Sequence, residues 1–430
     1  MNVLLLGSGG REHAIAWSIA KSPLLTELFI APGNPGTAQH GKNLLIDTED
    51  NSAIVTFCSE RDINLLIVGP EAPLVNGVHD AILNDPRTKD ITVIGPQKAG
   101  AMLEGSKDFS KQFMLRHGVP TAAYKTFEAT TLNQGLAFLE TLSPPYVLKC
   151  DGLAAGKGVL IEPTLEKAKS SLKNILEDGS FGAAGAKVVI EEFLDGTELS
   201  TFILTDGKDY LLLPTAKDYK CVGEGDTGLN TGGMGALSPA PVADEAFMRK
   251  VKEKVIARSL KGLQKEGIPY KGFLFIGLMR VGDEPKVIEY NVRMGDPETE
   301  AVLPLIESDL LAHFKALGEG KLSREEMIIS SKCSTTVMMV SGGYPESYEK
   351  GKKIYGLNEI GPESMVFQAG TKEMNGEIFS SGGRVLTVTS VEETLSGALA
   401  KSYRNLNKLS FENSYYRKDI GYELANARED

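Results

Sequence analysis

The clearest chemical signal in the chain is a row of three polar side chains on one predicted strand, 286–293 (KVIEYNVR). Because side chains alternate along a strand, Glu289, Asn291 and Arg293 share one face. The oxygens of Glu289 and Asn291 are hard ligands of the kind that Mg²⁺ uses when it binds together with phosphates. Arg293 can hold a carboxylate or a phosphate through two parallel hydrogen bonds. A solvated strand face is the alternative interpretation of the same row.

Strict alternation also divides the apolar residues of this strand. It assigns Val287 to the face of the polar row, and it assigns Ile288, Tyr290 and Val292 to the opposite face. The opposite face is therefore expected to pack in the core.

A glycine-rich turn, GSGGREH at 7–13, follows a predicted strand and opens a predicted helix. Backbone N–H groups and the helix dipole at such a turn favour an anion. The NAD fingerprint requires glycine where the chain has Glu12, and an acidic residue where the second strand ends in Ala31-Pro32-Gly33-Asn34. NAD is therefore disfavoured. The turn either binds a phosphate of another ligand or is purely structural.

A second glycine-rich segment, Asp151–Gly158, differs from a P-loop in its glycine spacing and in having Gly158 after Lys157. It also joins two predicted strands instead of a strand and a helix. We interpret it as a mobile flap over a triphosphate. A glycine-rich hairpin without a ligand is the alternative.

Two predicted strand ends carry polar groups that allow two interpretations. Lys149 ends the strand PYVLK and can contact a phosphate if it points inward, although a lone lysine usually lies on the surface. The segment Glu191-Glu192-Phe193-Leu194, with Glu198 nearby, can offer backbone groups to an adenine and a carboxylate to a ribose. The alternative is that this segment is an acidic strand end without a ligand.

The elements that must position these groups begin with a βαβ series over the first ~100 residues. Short apolar runs at Asn2–Leu6, Leu28–Ala31, Leu65–Val68 and Ile91–Ile94 are typical of buried parallel strands, and each ends in a Gly- or Pro-containing turn. This pattern predicts a doubly wound sheet, in which ligands bind beyond the carboxyl ends of the strands.

Four later segments complete the predicted organisation. Glu104–His117 is predicted as one helix that ends at Gly118. Lys217–Gly235 is glycine-rich and weakly hydrophobic, and it is predicted as a long mobile loop of functional importance. The chain is strand-rich from about Cys333, and a helix is expected at Val391–Tyr403.

Composition and charge exclude several classes of protein. With a net charge of −11, the chain lacks the excess of basic residues that is expected of a nucleic-acid-binding protein. No apolar stretch is long enough to cross a membrane, and the N-terminus is predicted as a buried strand and not as a signal peptide. The four cysteines form no CxxC pair, so a zinc site is not expected. Their wide spacing instead favours a reduced, cytoplasmic protein.

These segments together resemble the phosphoribosylamine–glycine ligases, a family of the ATP-grasp superfamily. The resemblance runs from end to end in family order. Its motifs are GSGGREHAIAW at 7–17, APGNPGTA at 31–38, VGPEAPLV at 68–75, LEGSKDF at 103–109, KCDGLAAGKGV at 149–159, VIEEFLDGTE at 189–198, DTGLNTGGMGA at 226–236, VIEYNVRMGDPETE at 287–300, SGGYP at 341–345, AGT at 369–371, GGRVL at 382–386 and YRKDIG at 416–421.

The resemblance implies an α/β fold of four units. These are an N-terminal doubly wound parallel-sheet domain at 1–104, an ATP-grasp lid at 105–190, a large ATP-grasp subdomain with the metal site at 191–325, and a C-terminal strand-rich α+β domain at 326–430. The implied reaction joins glycine to 5-phosphoribosylamine with ATP, through a glycyl phosphate, in purine biosynthesis.

The resemblance also implies roles for individual residues. Contacts to ATP are expected from Lys107, Lys149, Gly152, Gly156, Lys157, Glu191, Phe193, Leu194 and Glu198. Substrate contacts are expected from Gly9, Gly10, Arg11, Asn34, Glu71, Arg293 and Arg384, with Arg293 and Lys149 as catalytic groups. Glu289 and Asn291 are expected to bind Mg²⁺, or Mn²⁺ in its place. Only one metal site is expected, because Phe273–Met279 carries no carboxylate.

Other classes of protein remain as alternatives at this stage. A different ATP-grasp carboxylate–amine ligase is the nearest one. A non-catalytic nucleotide sensor would keep the ATP contacts without needing the polar row, and a NAD-dependent dehydrogenase lacks its fingerprint. The expected partners are small molecules, without nucleic acid or membrane, and the chain is expected to be a monomer.

Overall fold

A computed structural model describes residues 1–153 and 158–426. Its N-terminal unit is a parallel sheet in the order β3-β2-β1-β4-β5. The strands are β1 (Asn2–Gly7), β2 (Glu27–Pro32), β3 (Lys42–Asn43), β4 (Leu65–Val68) and β5 (Thr92–Ile94). The helices are α1 (Gly10–Ile19), α2 (Asn51–Glu60), α3 (Glu71–Val75), α4 (Val78–Asn84) and α5 (Lys98–Gly105).

The apolar run of β1 is explained by cover on both faces of this sheet. Leu4 and Leu6 belong to one buried cluster, whereas Val3 and Leu5 belong to another. A parallel strand that is buried on both faces needs apolar side chains at every position. The predicted doubly wound domain is therefore confirmed.

The second unit is an antiparallel sheet in the order β6-β9-β7-β8, backed by two helices. It follows α6 (Lys107–His117) and contains β6 (Tyr124–Glu128), α7 (Leu132–Leu139), β7 (Tyr146–Cys150), β8 (Val159–Glu162), α8 (Leu165–Leu176) and β9 (Lys187–Glu191). Its core is separate from the other buried clusters.

Residues 197–318 build the third unit and part of the fourth. The strands are β10 (Thr197–Thr205), β11 (Tyr210–Leu212), β12 (Lys217–Asp218), β13 (Cys221–Gly223), β14 (Thr227–Asn230), β15 (Gly235–Ser238), β16 (Gly272–Val281) and β17 (Glu284–Asn291). The helices are α9 (Glu245–Lys250), a π-helical segment (Val251–Ile256), α10 (Ala257–Lys265), α11 (Glu298–Val302) and α12 (Leu310–Gly318). The antiparallel sheet β11-β10-β16-β17 is the centre of this unit.

The C-terminal unit contains a six-stranded antiparallel sheet that borrows two strands from earlier in the chain. The order is β12-β15-β18-β22-β19, and β23 pairs with β18. The remaining elements are β18 (Cys333–Ser341), β19 (Ser364–Gln368), β20 (Thr371–Met374), β21 (Glu377–Ser380), β22 (Arg384–Glu392), α13 (Leu395–Leu406), β23 (Ser414–Tyr415) and α14 (Tyr422–Asn426).

Three predicted elements were wrong in extent. The helix predicted at Glu104–His117 is broken at Ser106, whose backbone is extended and whose side chain caps α6 by accepting from Phe109 N. The loop predicted at 217–235 contains the short strands β12, β13 and β14. The helix predicted from Val391 starts only at Leu395, because β22 continues to Glu392 and Thr394 caps the helix.

The break at Ser106 also connects α6 to the start of the second glycine-rich segment. The Ser106 hydroxyl donates to the Asp151 carboxylate at 3.0 Å, and Asp108 N donates to the same carboxylate at 2.7 Å. A helix cap and the start of the second glycine-rich segment therefore share one hydrogen-bond network. Across the described residues, no helix is both long enough and apolar enough to span a membrane.

We expect Ser106→Ala to lower the free energy of unfolding by about 1–2 kcal/mol, because it removes a helix cap and the hydrogen bond to Asp151. The exposed loop residue Ser180 provides a matched control, and Ser180→Ala should stay within about 0.5 kcal/mol of the wild type. Urea denaturation of both variants measures the difference, and equal midpoints would contradict the assignment.

Candidate active site

A cleft of about 1010 Å³ lies where the units of the fold meet. Its walls include Arg11 and Glu71 from the N-terminal sheet, Lys149 from the second unit, Glu289 from β17 and Arg384 from the C-terminal sheet. Arg11 and Glu71 follow the carboxyl ends of β1 and β4, the edge at which doubly wound sheets bind ligands. Side chains that lie far apart in sequence therefore face one space.

The polar row of β17 faces this cleft, and Glu289, Asn291 and Arg293 all line it. The predicted faces of Val287 and Ile288 were wrong, whereas Tyr290 and Val292 lie in the core as expected. The register against β16 shifts so that Gly277 opposes Glu289 and Leu278 opposes Val287. This bulge puts Val287 in the core and Ile288 on the cleft wall.

Glu289 is the electrostatic centre of the cleft. Burial alone would raise its pKa, but the positive charges of Lys220, Lys149, Lys107 and Arg293 outweigh burial and hold the pKa below its ordinary value. Glu289 makes no hydrogen bond or ion pair with the described residues. It is therefore a charged carboxylate whose oxygens remain available to a ligand.

Arg293 is held by two glutamates. Its Nη2 donates to Glu104 Oε1 at 2.7 Å and to Asn291 Oδ1 at 3.2 Å, and its Nε donates to Glu71 Oε2 at 3.3 Å. Burial raises the pKa of Glu104 to about 7, although Arg293 opposes the shift. Sequence reasoning missed Glu104, whose partner lies 189 residues away, and no local pattern marks that contact.

Two buried lysines, Lys149 and Lys111, share the carboxylate of Glu191. Lys149 Nζ lies 3.0 Å from Glu191 Oε1, and Lys111 Nζ lies 2.7 Å from Glu191 Oε2. Burial lowers the pKa of Lys111 to about 8, although Glu191 opposes the shift. The Glu191 side chain thus orients Lys149, and the ATP contact expected of Glu191 stays a prediction. Lys111 was missed by the sequence analysis.

The structure brings together only some of the other residues that were expected to contact ATP. Phe193, Leu194 and Glu198 line the cleft, and Glu198 forms an ion pair with Lys220. Lys107 also lines it, and its Nζ donates to Gly152 O at 3.3 Å. Gly152 itself packs against Ala184, where an added Cβ would lie 3.0 Å from the Ala184 Cα. Gly156 and Lys157 lie outside the described residues.

The turn at the start of α1 is closed by carboxylates of the protein itself. Gly9 N donates to Glu12 Oε2 at 2.6 Å, and Arg11 N donates to Asp296 Oδ2 at 3.3 Å. A Cβ at Gly10 would collide with Glu300, a fully buried carboxyl with no hydrogen-bond partner for either oxygen among the described residues. In the described part of the chain, Arg11 lines the cleft, whereas Gly9 and Gly10 do not.

The side chain of Asn34 is held by hydrogen bonds to the protein backbone. Its amide nitrogen donates to Ser8 O at 2.9 Å and to Gln368 O at 2.7 Å, and its Oδ1 accepts from the backbone of Gly36 and Thr37. It is buried and stands behind the cleft wall. The phosphate contact expected of Asn34 therefore stays a prediction.

Further charged residues of the cleft were not anticipated, among them Asp218, Lys220, Asp296 and Glu298. Arg384 Nη1 lies 3.0 Å from Asp296 Oδ1 and donates to Asp296 O at 2.6 Å. Burial raises the pKa of Asp218 and of Glu298, and repulsion from nearby carboxylates adds to both shifts. Asp218 and Lys220 lie in the segment predicted as a loop, where no periodic pattern indicated an inward direction.

The geometry fits one cation with few protein ligands. Within residues 1–153 and 158–426, no group of three or more His, Cys, Asp or Glu side chains is arranged to hold a metal ion. Glu289 supplies a charged oxygen and Asn291 a neutral one on the same face of β17. Mg²⁺ commonly binds through one or two protein oxygens while phosphates and water complete its coordination, so the two residues fit this ion.

Comparison with protein families places the whole cleft within one family. Residues 1–104 match the description "Phosphoribosylglycinamide synthetase, N domain", and residues 105–299 match its "ATP-grasp (A) domain". Residues 334–423 match its "C domain".

Similar proteins extend over the full length of the chain. Phosphoribosylamine–glycine ligase of Vibrio parahaemolyticus is 46% identical, covering 100% of this chain and 99% of that protein. The trifunctional purine biosynthetic protein adenosine-3 of Gallus gallus is 44% identical over 98% of this chain and 42% of its own length. The crystal structure of phosphoribosylamine–glycine ligase from Thermotoga maritima has a TM-score of 0.84 at 34% identity, covering 97% of this chain and 100% of that one.

If Asp151–Gly158 closes over a bound nucleotide, Mg-ATP should slow hydrogen exchange in this segment. We expect a reduction of at least about tenfold, because closure replaces solvent contacts with ligand contacts. The exposed turn at Asn375-Gly376, which lies outside the cleft wall, serves as the internal control and should not change. Unaltered exchange at saturating Mg-ATP would argue against a flap.

Proposed function

This chain belongs to the phosphoribosylglycinamide synthetase family, and from that membership we propose how its cleft joins glycine to 5-phosphoribosylamine. The chain is an ATP-dependent carbon–nitrogen ligase of purine biosynthesis. One observation carries the residue assignments: Glu289, Asn291 and Arg293 face the same cleft as Lys107 and Lys149.

The nucleotide is proposed to lie between the second and third units. Lys107 and Lys149 would hold its phosphates, and the ion pair with Glu191 keeps Lys149 in place. Phe193, which is 41% exposed at the cleft, and Leu194 would cover the adenine. Glu198 would accept from the ribose after exchanging its contact with Lys220.

Mg²⁺ is the cation proposed for Glu289 and Asn291, with Mn²⁺ as a substitute. When bound, the ion would offset the negative charge that develops during phosphoryl transfer. The four cations around Glu289 keep its carboxylate ionised, so the ligand is ready at neutral pH.

The reaction requires positioning and charge neutralisation instead of a protein nucleophile. The carboxylate of glycine attacks the γ-phosphorus of ATP, which forms glycyl phosphate and releases ADP. Arg293 would hold the glycine carboxylate or the transferring phosphoryl group, since Glu71 and Glu104 fix its guanidinium in the cleft. Lys149 would stabilise the negative charge of the phosphates.

Phosphoribosylamine is proposed to bind at the carboxyl edge of the parallel sheet. Its amine attacks the acyl carbon of glycyl phosphate, which forms the amide and releases phosphate and a proton. Arg11 and Arg384 would hold the substrate phosphate, and the backbone N–H groups of Gly9 and Gly10 would join them once Gly9 N gives up its hydrogen bond to Glu12. Glu71 would accept from the ribose hydroxyls, and it already faces Arg293 at 3.3 Å. Substrate binding is thereby connected to the group that handles glycine.

The proposed partners are therefore small molecules, and we propose a monomer that uses neither nucleic acid nor membrane. The cytoplasm is the proposed location, because all four cysteines are unpaired thiols. Another ATP-grasp carboxylate–amine ligase is the alternative, and the 46% identity to a phosphoribosylamine–glycine ligase over the full length favours the assignment made here.

The substrate assignment predicts that ADP release requires both glycine and phosphoribosylamine. We expect little ADP with either substrate alone, since the acyl phosphate should persist in the cleft without its amine. Replacing glycine with alanine should also abolish product formation. A coupled ADP assay with freshly prepared phosphoribosylamine measures this dependence. Equal rates with alanine, or with glycine alone, would contradict the proposed substrates.

The metal assignment predicts that Glu289→Gln loses more activity than Asn291→Asp, because the first change removes a charge and the second retains an oxygen ligand. For Glu289→Gln, the Mg²⁺ concentration at half-maximal rate should rise at least about tenfold. Glu284→Gln is the matched control, because Glu284 lies on the same strand but pairs with Lys250 and Lys254 outside the cleft wall. An unshifted Mg²⁺ titration at full rate for the folded Glu289→Gln protein would overturn the assignment.

A further inference from the structure

A short hairpin, Cys221–Asn230, forms part of the cleft wall and is built from β13 and β14. Cys221, Asp226 and Asn230 line the cleft, while Leu229 on β14 is 52% exposed. A two-stranded sheet of this size is only marginally stable by itself in water. Something outside the hairpin must therefore hold it against the cleft.

Arg417, from the segment between β23 and α14, makes this contact. Its Nε and Nη2 donate to the two carboxylate oxygens of Asp419 at 2.8 and 2.7 Å. Its Nη1 donates to Asp226 Oδ1 at 2.7 Å and to Cys221 O at 3.1 Å. The Arg417 side chain is fully buried, and such a guanidinium is stable only while its carboxylate partners remain in place.

The turn of the hairpin makes further contacts with the same C-terminal segment. Gly225 N donates to Asp419 Oδ2 at 2.7 Å, and the Tyr422 hydroxyl donates to Asp226 Oδ2 at 2.9 Å. Lys418 N donates to Glu224 Oε1 at 3.3 Å. For the described residues, every hydrogen bond that leaves the turn Glu224–Asp226 for another part of the chain ends in residues 417–422.

The base of the hairpin continues into both halves of the cleft. Thr231 N donates to Lys220 O at 2.8 Å, next to the ion pair of Lys220 with Glu198. Gly232 O accepts from Arg384 Nη1 at 2.8 Å on the other side. A displacement of the hairpin would therefore move groups proposed for the nucleotide and groups proposed for the second substrate.

We propose that Arg417 is a positioning residue that holds the hairpin Cys221–Asn230 closed over the cleft and so keeps water away from the acyl phosphate. The inference rests on the proposed function, which requires that glycyl phosphate survive until the amine attacks. With the hairpin released, water competes with the amine, and glycyl phosphate and water give glycine and phosphate. ATP is then consumed without product.

Arg417→Lys tests this directly, because it keeps the charge but loses the fork that joins Asp226 to Asp419. Arg280→Lys is the matched control. Arg280 also bridges two aspartates, Asp244 at 2.6 Å and Asp283 at 2.9 Å, and lies outside the cleft wall.

For Arg417→Lys, we expect amide exchange in 221–230 to accelerate at least about tenfold and the ratio of ADP released to ligated product to rise at least about 1.5-fold. The apparent KM for ATP should rise at least about threefold, because binding must now order the hairpin. Arg280→Lys should leave the ratio of ADP to product within about 1.2-fold of the wild type and the apparent KM for ATP within about twofold.

Tyr422→Phe is a second, milder variant, since it removes only the hydroxyl contact with Asp226 from a 41% exposed side chain. It should shift hairpin exchange and the ADP-to-product ratio in the same direction, by less. It decides the question if Arg417→Lys does not fold.

Unaltered hairpin exchange, an unaltered ratio, or equal losses in Arg280→Lys would each overturn the inference. If the wild-type enzyme forms no product from glycine and phosphoribosylamine, the proposed function fails. Hairpin exchange still tests the anchor in that case.

Discussion

The arrangement depends on one electrostatic constraint, the placement of several positive charges around the carboxylate of Glu289 inside a protein cleft. Lys107, Lys149, Lys220 and Arg293 would repel one another strongly if no anion stood among them. Glu289 provides the fixed anion of the protein, and the phosphates of ATP would provide the mobile one. The lysine and arginine side chains gathered at this point can contact several phosphate oxygens at once.

Four cations of the cleft are also held by carboxylates of the protein. Lys149 is held by Glu191, Lys220 by Glu198, Arg293 by Glu104 and Glu71, and Arg384 by Asp296. The pairs of Arg293 and of Arg384 cross the boundaries between the units of the fold, whereas those of Lys149 and Lys220 each lie within one unit. Substrate contacts and contacts between units are consequently made by the same side chains, so the relative placement of the units and the order of the site are coupled.

The sequence predicted the parts of the fold and the site that follow from local patterns. The strands of the N-terminal sheet and the polar row at Glu289, Asn291 and Arg293 follow from alternation and apolar runs. The bulge at Ile288 escaped prediction, because one extra residue reverses the alternation without any change in composition. Glu104 and Lys111 also escaped, since their roles arise from partners 189 and 80 residues away. The hydrogen bonds by which Asn34 fixes the turn after β2 also escaped prediction, while its phosphate contact stays a prediction.

The strands β12 and β15 have a consequence for how this protein can be recombined with its relatives. They lie in the middle of the chain, yet Gly235–Ser238 pairs with residues 334–337 of β18 inside the C-terminal sheet. A chimera that exchanges residues 326–430 alone would therefore set a foreign strand beside a native one at every position of that ladder. The segment 217–238 and the C-terminal unit have to be inherited together, although 95 residues separate Ser238 from Cys333 along the chain.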